Sequence, residues 1–168
     1  MIGTKLYWVT GPWPGKLALA ARPRGGEWLE DEMTSWRAAG VDAVVSLLTP
    51  EEEKDLGLSN EGAEAKANGV EFISFPILDR QVPDSSSELT RTLDKIDTEL
   101  TKGKNVLVHC RQGVGRAGLV GACLLLTKGL DAETALRRLS ASRGATIPET
   151  LEQRRWIDSY ASALASAR

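Results

Sequence analysis

Apolar positions along this chain fall alternately into short continuous runs and helical stripes. "TKLYWV" from Thr4 and "LALAA" from Leu17 read as short strands, with Gly-Pro-Trp-Pro-Gly turning between them. "GEWLEDEMTSWRAAG" places Trp28, Leu29, Met33 and Trp36 near helical spacing and is stopped by Gly40, which predicts a helix with both tryptophans on its core face. "DAVVSLL" reads as a buried strand. "TPEEEKDLG" offers Thr49 as an N-cap, Pro50 at the first helical position and acids in the first turn. A fainter helical pattern, "SNEGAEAKANG", precedes the strand "VEFISFPI". Leu89, Leu93, Ile96 and Leu100 share one face of "SSSELTRTLDKIDTELTKG", between a serine start and Gly103. The strand "NVLVH" and a helix from about Gly115 to Lys128 follow. "DAETALRRLSASR" and "PETLEQRRWIDSYASALASA" predict two more helices. Strands alternating with helices predict an α/β fold, a central and mostly parallel sheet flanked by helices. No repeat, linker or low-complexity segment divides the chain, so residues 1–168 read as a single domain.

Composition narrows the function classes. The chain has 168 residues, 42% hydrophobic and 26% charged, enough to bury a core of its own. A net charge of -2 excludes a nucleic-acid binder that works through bulk charge. No apolar run reaches membrane-spanning length, so no membrane partner is expected. The first residues lack the basic start and apolar stretch of a signal peptide. Cys110 and Cys123 are the only cysteines and make no disulfide framework. The expected setting is a reducing cytoplasm, where a thiol stays reactive, and the expected state is a monomer.

The chemistry concentrates in "NVLVHCRQGVGRAGLVGACLLL", Asn105 to Leu126. An apolar strand delivers Cys110 to the carboxyl end of the sheet, where open α/β folds bind ligands. Gly113 and Gly115 let the following loop curl, so that several backbone N–H groups point inward. The helix that starts there adds the positive end of its dipole. Arg116 adds a planar fork able to hold two oxygens of a tetrahedral anion. Such a cradle binds phosphate and favours the thiolate of a cysteine inside it. A thiolate beside a phosphoryl group is a nucleophile aimed at phosphorus. A buried structural cysteine is the plain alternative, and the coincidence of strand, His-Cys, two glycines, Arg116 and a long apolar helix weighs against it. No Gly-Lys-Ser/Thr follows the glycines, which excludes a Walker-type nucleotide loop.

"VHCRQGVGRAG" resembles the signature loop of the cysteine-dependent protein phosphatases, in the dual-specificity and tyrosine phosphatase superfamily. The likeness extends from "VDAVVSLL" through "FPILDRQVPD" to "IPETLEQRRWI", and is nearest to the kinase-associated-phosphatase-like group and its small bacterial relatives. It implies a cysteine phosphatase-like fold. It also implies Cys110 as nucleophile, Arg116 as phosphate ligand, and a cradle of backbone N–H groups over Arg111, Gln112, Gly113, Val114, Gly115 and Arg116. A poor leaving group needs a proton, which a carboxylic acid above the cradle supplies. "FPILDRQVPDSS" offers Asp79 and Asp84, and the family's Pro-x-x-acid pattern favours Asp79. Asp84 then reads as the N-cap or first-turn acid of the next helix. His109 directly precedes Cys110 on the strand, so its side chain points to the opposite face. The resemblance makes it a support that orders the loop rather than a base.

The chain departs from the family pattern at two places. Ala117 stands where a Ser or Thr steadies the departing thiolate, which puts breakdown of a phosphoenzyme in question. "IPETLEQ" resembles a glutamine loop, but Glu149 replaces its first glutamine. Gln153 matches the second and reads either as a supporting residue that positions water or as a helix residue facing solvent. Cys123 reads as a buried helix cysteine, and Arg22, Arg24 and Arg143 as solvated surface near enough to meet substrate. The loop interior holds Arg111, Gln112 and Val114 rather than lysines, so a multiply phosphorylated headgroup is disfavoured. The expected substrate is a phosphotyrosine protein or peptide, with phosphoserine and phosphothreonine beside it. The alternatives are a phosphatase of a lipid, small-molecule or RNA-end phosphate, and a weakly active phosphoprotein-binding module. No cofactor is expected, and one histidine without a cysteine cluster makes no usual zinc site.

Overall fold

The computed structural model describes residues 3–167. Five strands form one sheet in the order β1-β2-β5-β3-β4: β1 (Tyr7–Val9), β2 (Leu17–Ala20), β3 (Ala43–Ser46), β4 (Glu71–Ser74) and β5 (Val106–His109). Only β1 runs antiparallel, joined to β2 through the Gly-Pro-Trp-Pro-Gly turn, while β2, β5, β3 and β4 pair in parallel. The three inner strands are apolar on both faces, as a sheet covered on both sides requires.

Seven helices cover it among the described residues: α1 (Leu29–Ala38), α2 (Pro50–Asp55), α3 (Glu61–Ala67), α4 (Ser86–Thr101), α5 (Arg116–Thr127), α6 (Ala132–Arg143) and α7 (Leu151–Ala167). One face of the sheet packs Leu17, Leu19, Val45, Val106 and Val108 against α4 to α7. The other packs Ala18, Ala20, Val44 and Leu107 under α1 and α3. Helix α5 is buried all round from Arg116 to Leu126 because it lies between the sheet and its neighbouring helices. Cys123 is buried on it, and burial pushes its thiol far above the ordinary range.

Three sequence expectations need correction. Trp36 is buried, but Trp28 ends a 3-10 turn and is 37% exposed, with the Arg24 guanidinium over its ring. Asp84 does not cap α4: Ser85 is the N-cap, its hydroxyl accepting the Glu88 N–H. Helix α7 starts at Leu151 rather than at Pro148, because the Glu149 and Thr150 N–H groups both donate to the Gln153 side chain.

Candidate active site

Strand β5 ends at His109 between Ala20 of β2 and Ser46 of β3, so Cys110 emerges at the carboxyl edge in the middle of the sheet. The loop from Cys110 to Gly115 then turns into α5. Gly113 has φ 76°, and a Cβ there would lie 2.6 Å from the Ala20 carbonyl group, so only glycine lets the loop lie against β2. The loop's carbonyls are held outward: Arg111 O accepts the Arg22 N–H, Gln112 O and Gly113 O accept from the Arg143 guanidinium. One N–H turned inward, that of Gly113, donates to Cys110 Sγ at 3.3 Å.

Arg116, the first residue of α5, is 1% exposed and held from several sides. Its Nη1 donates to Glu52 Oε1 at 2.7 Å and to the Ile77 carbonyl at 2.8 Å. Its Nη2 donates to Glu52 Oε2 at 3.0 Å and to Asp79 Oδ1 at 2.9 Å. Burial opposes the guanidinium charge, yet the Glu52 hydrogen bonds and the charges of Cys110, Glu52 and Asp79 hold it more firmly protonated than an ordinary arginine. Glu52 is the N3 residue of a capping box: Thr49 Oγ1 accepts the Glu52 N–H, and Glu52 Oε1 accepts the Thr49 N–H. Burial raises its pKa, but Arg116, the Thr49 N–H and Arg111 outweigh it and bring the carboxyl to about 2.

Behind the loop, His109 is buried on the opposite face of the sheet from Cys110, beside Trp36. Its Nε2 lies 2.6 Å from Glu61 Oε2 and its Nδ1 3.3 Å from the Cys110 carbonyl oxygen. The ring therefore ties α3 to the backbone of the loop.

Asp79 sits in a turn whose Gln81 N–H donates to Leu78 O, with Arg80 at the left-handed φ of 63°. Asp79, Arg80, Cys110, Arg111, Gln112, Gly115, Arg116 and Glu149 line one cavity of about 140 Å³, and Asp84 lies outside it. The residues read from the sequence as nucleophile, phosphate ligand and acid thus converge from β5, α5 and the β4–α4 loop. Gln153 does not face solvent. It is fully buried, its Oε1 accepting from Glu149 and Thr150 and its Nε2 donating to the Gln81 carbonyl. Of the three arginines, Arg143 braces the loop from behind and lies over the Tyr7 ring, and Arg24 pairs with the buried Glu32. Arg22 Nη1 donates to the Pro23 carbonyl.

The model of the family described as "Swiss Army Knife protein, DSP-PTPase phosphatase domain" matches residues 6–161. The chain belongs to this DSP-PTPase family. Among curated proteins it is similar to the putative tyrosine phosphatase 197R of Invertebrate iridescent virus 6, 28% identical over 147 residues, 83% of this chain and 52% of that protein. It is also similar to cyclin-dependent kinase inhibitor 3 of Homo sapiens, 32% identical over 58% of this chain and 47% of that protein. The chain spans about half the length of these curated relatives. Its fold matches kinase associated phosphatase, solved with its catalytic-site cysteine replaced by serine, at TM-score 0.89 and 22% identity over 99% of this chain and 98% of that one. Tk-PTP in its active form matches at TM-score 0.76 and 29% identity, over 94% and 96%.

Sequence reasoning missed four features of this site: Glu52, Glu61, the bracing role of Arg143 and the second role of Gln153. Thr49-x-x-Glu52 and Thr150-x-x-Gln153 both carry the spacing of a capping box, a signal that marks the residue but not what its far side meets. Glu61 and Arg143 carry no local signal, since their partners lie 48 and 30 or more residues away.

Proposed function

We propose that this chain is a cysteine-dependent phosphoric monoester hydrolase of the dual-specificity class, acting on phosphotyrosine and also on phosphoserine and phosphothreonine in proteins or peptides. The observation that supports it is the single cavity shared by Cys110, Arg116 and Asp79, with the Gly113 N–H on the cysteine sulfur. In this reading the phosphoryl oxygens take the inward N–H groups of Arg111 to Arg116 and the edge of Arg116 that now holds Asp79. The Cys110 thiolate attacks phosphorus, the ester P–O bond breaks, and Asp79 gives its proton to the leaving oxygen. Water then attacks the phosphocysteine, Asp79 takes a proton from it, and the S–P bond breaks to return thiolate and inorganic phosphate. His109 and Glu52 hold the loop and Arg116 in place through both steps.

The charges around the cavity support a singly phosphorylated substrate. Arg111 already holds Glu52, Arg80 holds Glu149, and Arg116 holds Glu52 and Asp79. Each cation at the cleft is matched by a carboxylate, which leaves little positive charge for a headgroup bearing several phosphates. The same reading makes the chain one catalytic domain that works as a monomer in a reducing cytoplasm.

The test is hydrolysis of p-nitrophenyl phosphate with EDTA present. Wild type should turn over, and Cys110→Ser should bind vanadate yet lose essentially all turnover, because a serine hydroxyl is far from ionised at neutral pH. Substantial activity in that variant rejects the covalent mechanism. Asp79→Asn should slow substrates with poor leaving groups by about 10²–10⁴-fold and activated aryl phosphates less. Among peptides and lipids, a phosphotyrosine peptide should be the fastest substrate. Faster release from a phosphoinositide rejects the substrate class.

A further inference from the structure

The turn that carries Asp79 is exposed, and the chain strains to form it. Leu78 and Arg80 face solvent, and the Asp79 side chain is 48% exposed. Arg80 is the only non-glycine among the described residues with positive φ, at a turn position where glycine is usual. A bulky residue persists in that region when its surroundings demand it. Here the surroundings are the segment that starts α7. Arg80 Nη1 lies 3.3 Å from Glu149 Oε2, and the next residue's carbonyl, Gln81 O, accepts from Gln153 Nε2 at 3.2 Å.

The Gln153 side-chain oxygen is fully committed. Its Oε1 accepts two backbone N–H groups, from Glu149 at 3.2 Å and Thr150 at 3.1 Å, which fill both lone pairs. Its amide also packs on the phosphate loop: a Cβ built on Gly115 would lie 3.0 Å from its Oε1, its Nε2 and Glu149 Oε1. Both lone pairs are spent on backbone, so Oε1 has none left with which to orient a water molecule. The group reaches instead from the mouth of α5 to the turn that carries Asp79.

We propose that Gln153 and Glu149 are positioning residues for the acid loop, holding Gln81 and Arg80 and thereby setting Asp79 over Cys110. This rests on the hydrolase reading above. It also explains the glutamate at position 149: a carboxylate pairs with Arg80, which a neutral amide cannot do. The partly exposed pair contributes direction and the buried amide contributes rigidity.

Gln153→Glu tests this with the helix start preserved, since Thr-x-x-Glu is also a capping box. The variant keeps the acceptor for Glu149 and Thr150 but turns an oxygen toward the Gln81 carbonyl. Hydrolysis of phenyl phosphate should fall about 10- to 100-fold, as expected for a misplaced catalytic group. Hydrolysis of p-nitrophenyl phosphate, which needs little protonation, should fall far less. The alkaline fall of the pH–rate profile, which reports the protonated acid, should flatten. Arg80→Asn, on the exposed side of the contact and tolerant of positive φ, should show the same selectivity more weakly. The exchange Arg80→Glu with Glu149→Arg should recover part of what Arg80→Glu loses. Equal losses on both substrates, or no loss, would overturn the proposal. A phenol burst followed by slow turnover in Gln153→Glu would also overturn it and assign Gln153 to the water step. If wild type lacks Cys110-dependent hydrolysis of either ester, the hydrolase reading itself fails, a result distinct from these.

Discussion

Two helix starts flank the cleft, and both are built as capping boxes. At α2, Thr49 and Glu52 exchange side-chain and backbone hydrogen bonds at 3.3 and 3.1 Å. At α7, Thr150 and Gln153 do the same at 3.1 Å each. In both, the residue at the third helical position turns the rest of its side chain into the site. Glu52 meets the Arg116 guanidinium, a buried cation, while Gln153 meets the backbone of the β4–α4 loop at Gln81. The same local device therefore does two different things. A carboxylate among buried charges is electrostatically coupled to all of them, whereas a neutral amide orders only what it touches.

The comparison breaks most visibly at Glu52. Glu52→Ala leaves Arg116 buried without its principal counter-charge, so it should destabilise the chain by about 3–5 kcal/mol and weaken vanadate binding. Removing the neutral partner with Gln153→Ala should cost less, about 1–3 kcal/mol. Urea unfolding of both variants measures the difference. Equal losses would mean that Arg116 keeps enough counter-charge from Asp79 alone.

Acid separates the two boxes next. The Glu52 carboxyl is lowered in the folded chain from its ordinary 4.5 to about 2. A lowered folded pKa gives stability that is fully present above the unfolded value and is lost as pH falls toward the folded one. The stability gap between wild type and Glu52→Gln should thus be widest above about pH 5 and shrink toward about pH 2. Thr150→Ala has no such charge behind it, and its gap to wild type should stay flat across the same range. A flat profile for Glu52→Gln would detach the charge pair from stability.

The smallest expected effect is the cap itself. Thr49→Ala and Thr150→Ala each remove one hydroxyl acceptor and should cost similar amounts, about 0.5–2 kcal/mol. Should Thr49→Ala cost as much as Glu52→Ala, the helix start rather than the arginine would account for both.

The cradle was legible because its signals are local. Strand, Cys110, Gly113, Gly115, Arg116 and an apolar helix follow one another within a few residues, and each acts through its own backbone geometry. Asp79 was singled out over Asp84 through the resemblance's Pro-x-x-acid pattern, although its exposed turn gave no sign of what steadies it. Trp28 was misread because a 3-10 turn shifts the register that an α-helix from Gly26 would have set. Of the two readings of Gln153, the solvent-facing one arose because a polar residue in a helix usually faces water, and burial overturns it.

What the sequence by itself determined about this protein is the order of strands and helices, the loop that can cradle an anion, and the thiol placed within it. Hydrophobic period, glycine conformation and helix caps are all properties of neighbouring residues. Only the tertiary structure decided which of Glu51, Glu52 and Glu53 holds Arg116, that Glu61 backs His109, and that α7 grips the β4–α4 loop through Gln153. Those pairings join positions 64, 48 and 72 residues apart. A carboxylate or an amide carries no mark of a distant partner along the chain. Packing brings the two together, and burial then makes the contact too costly to leave unmade.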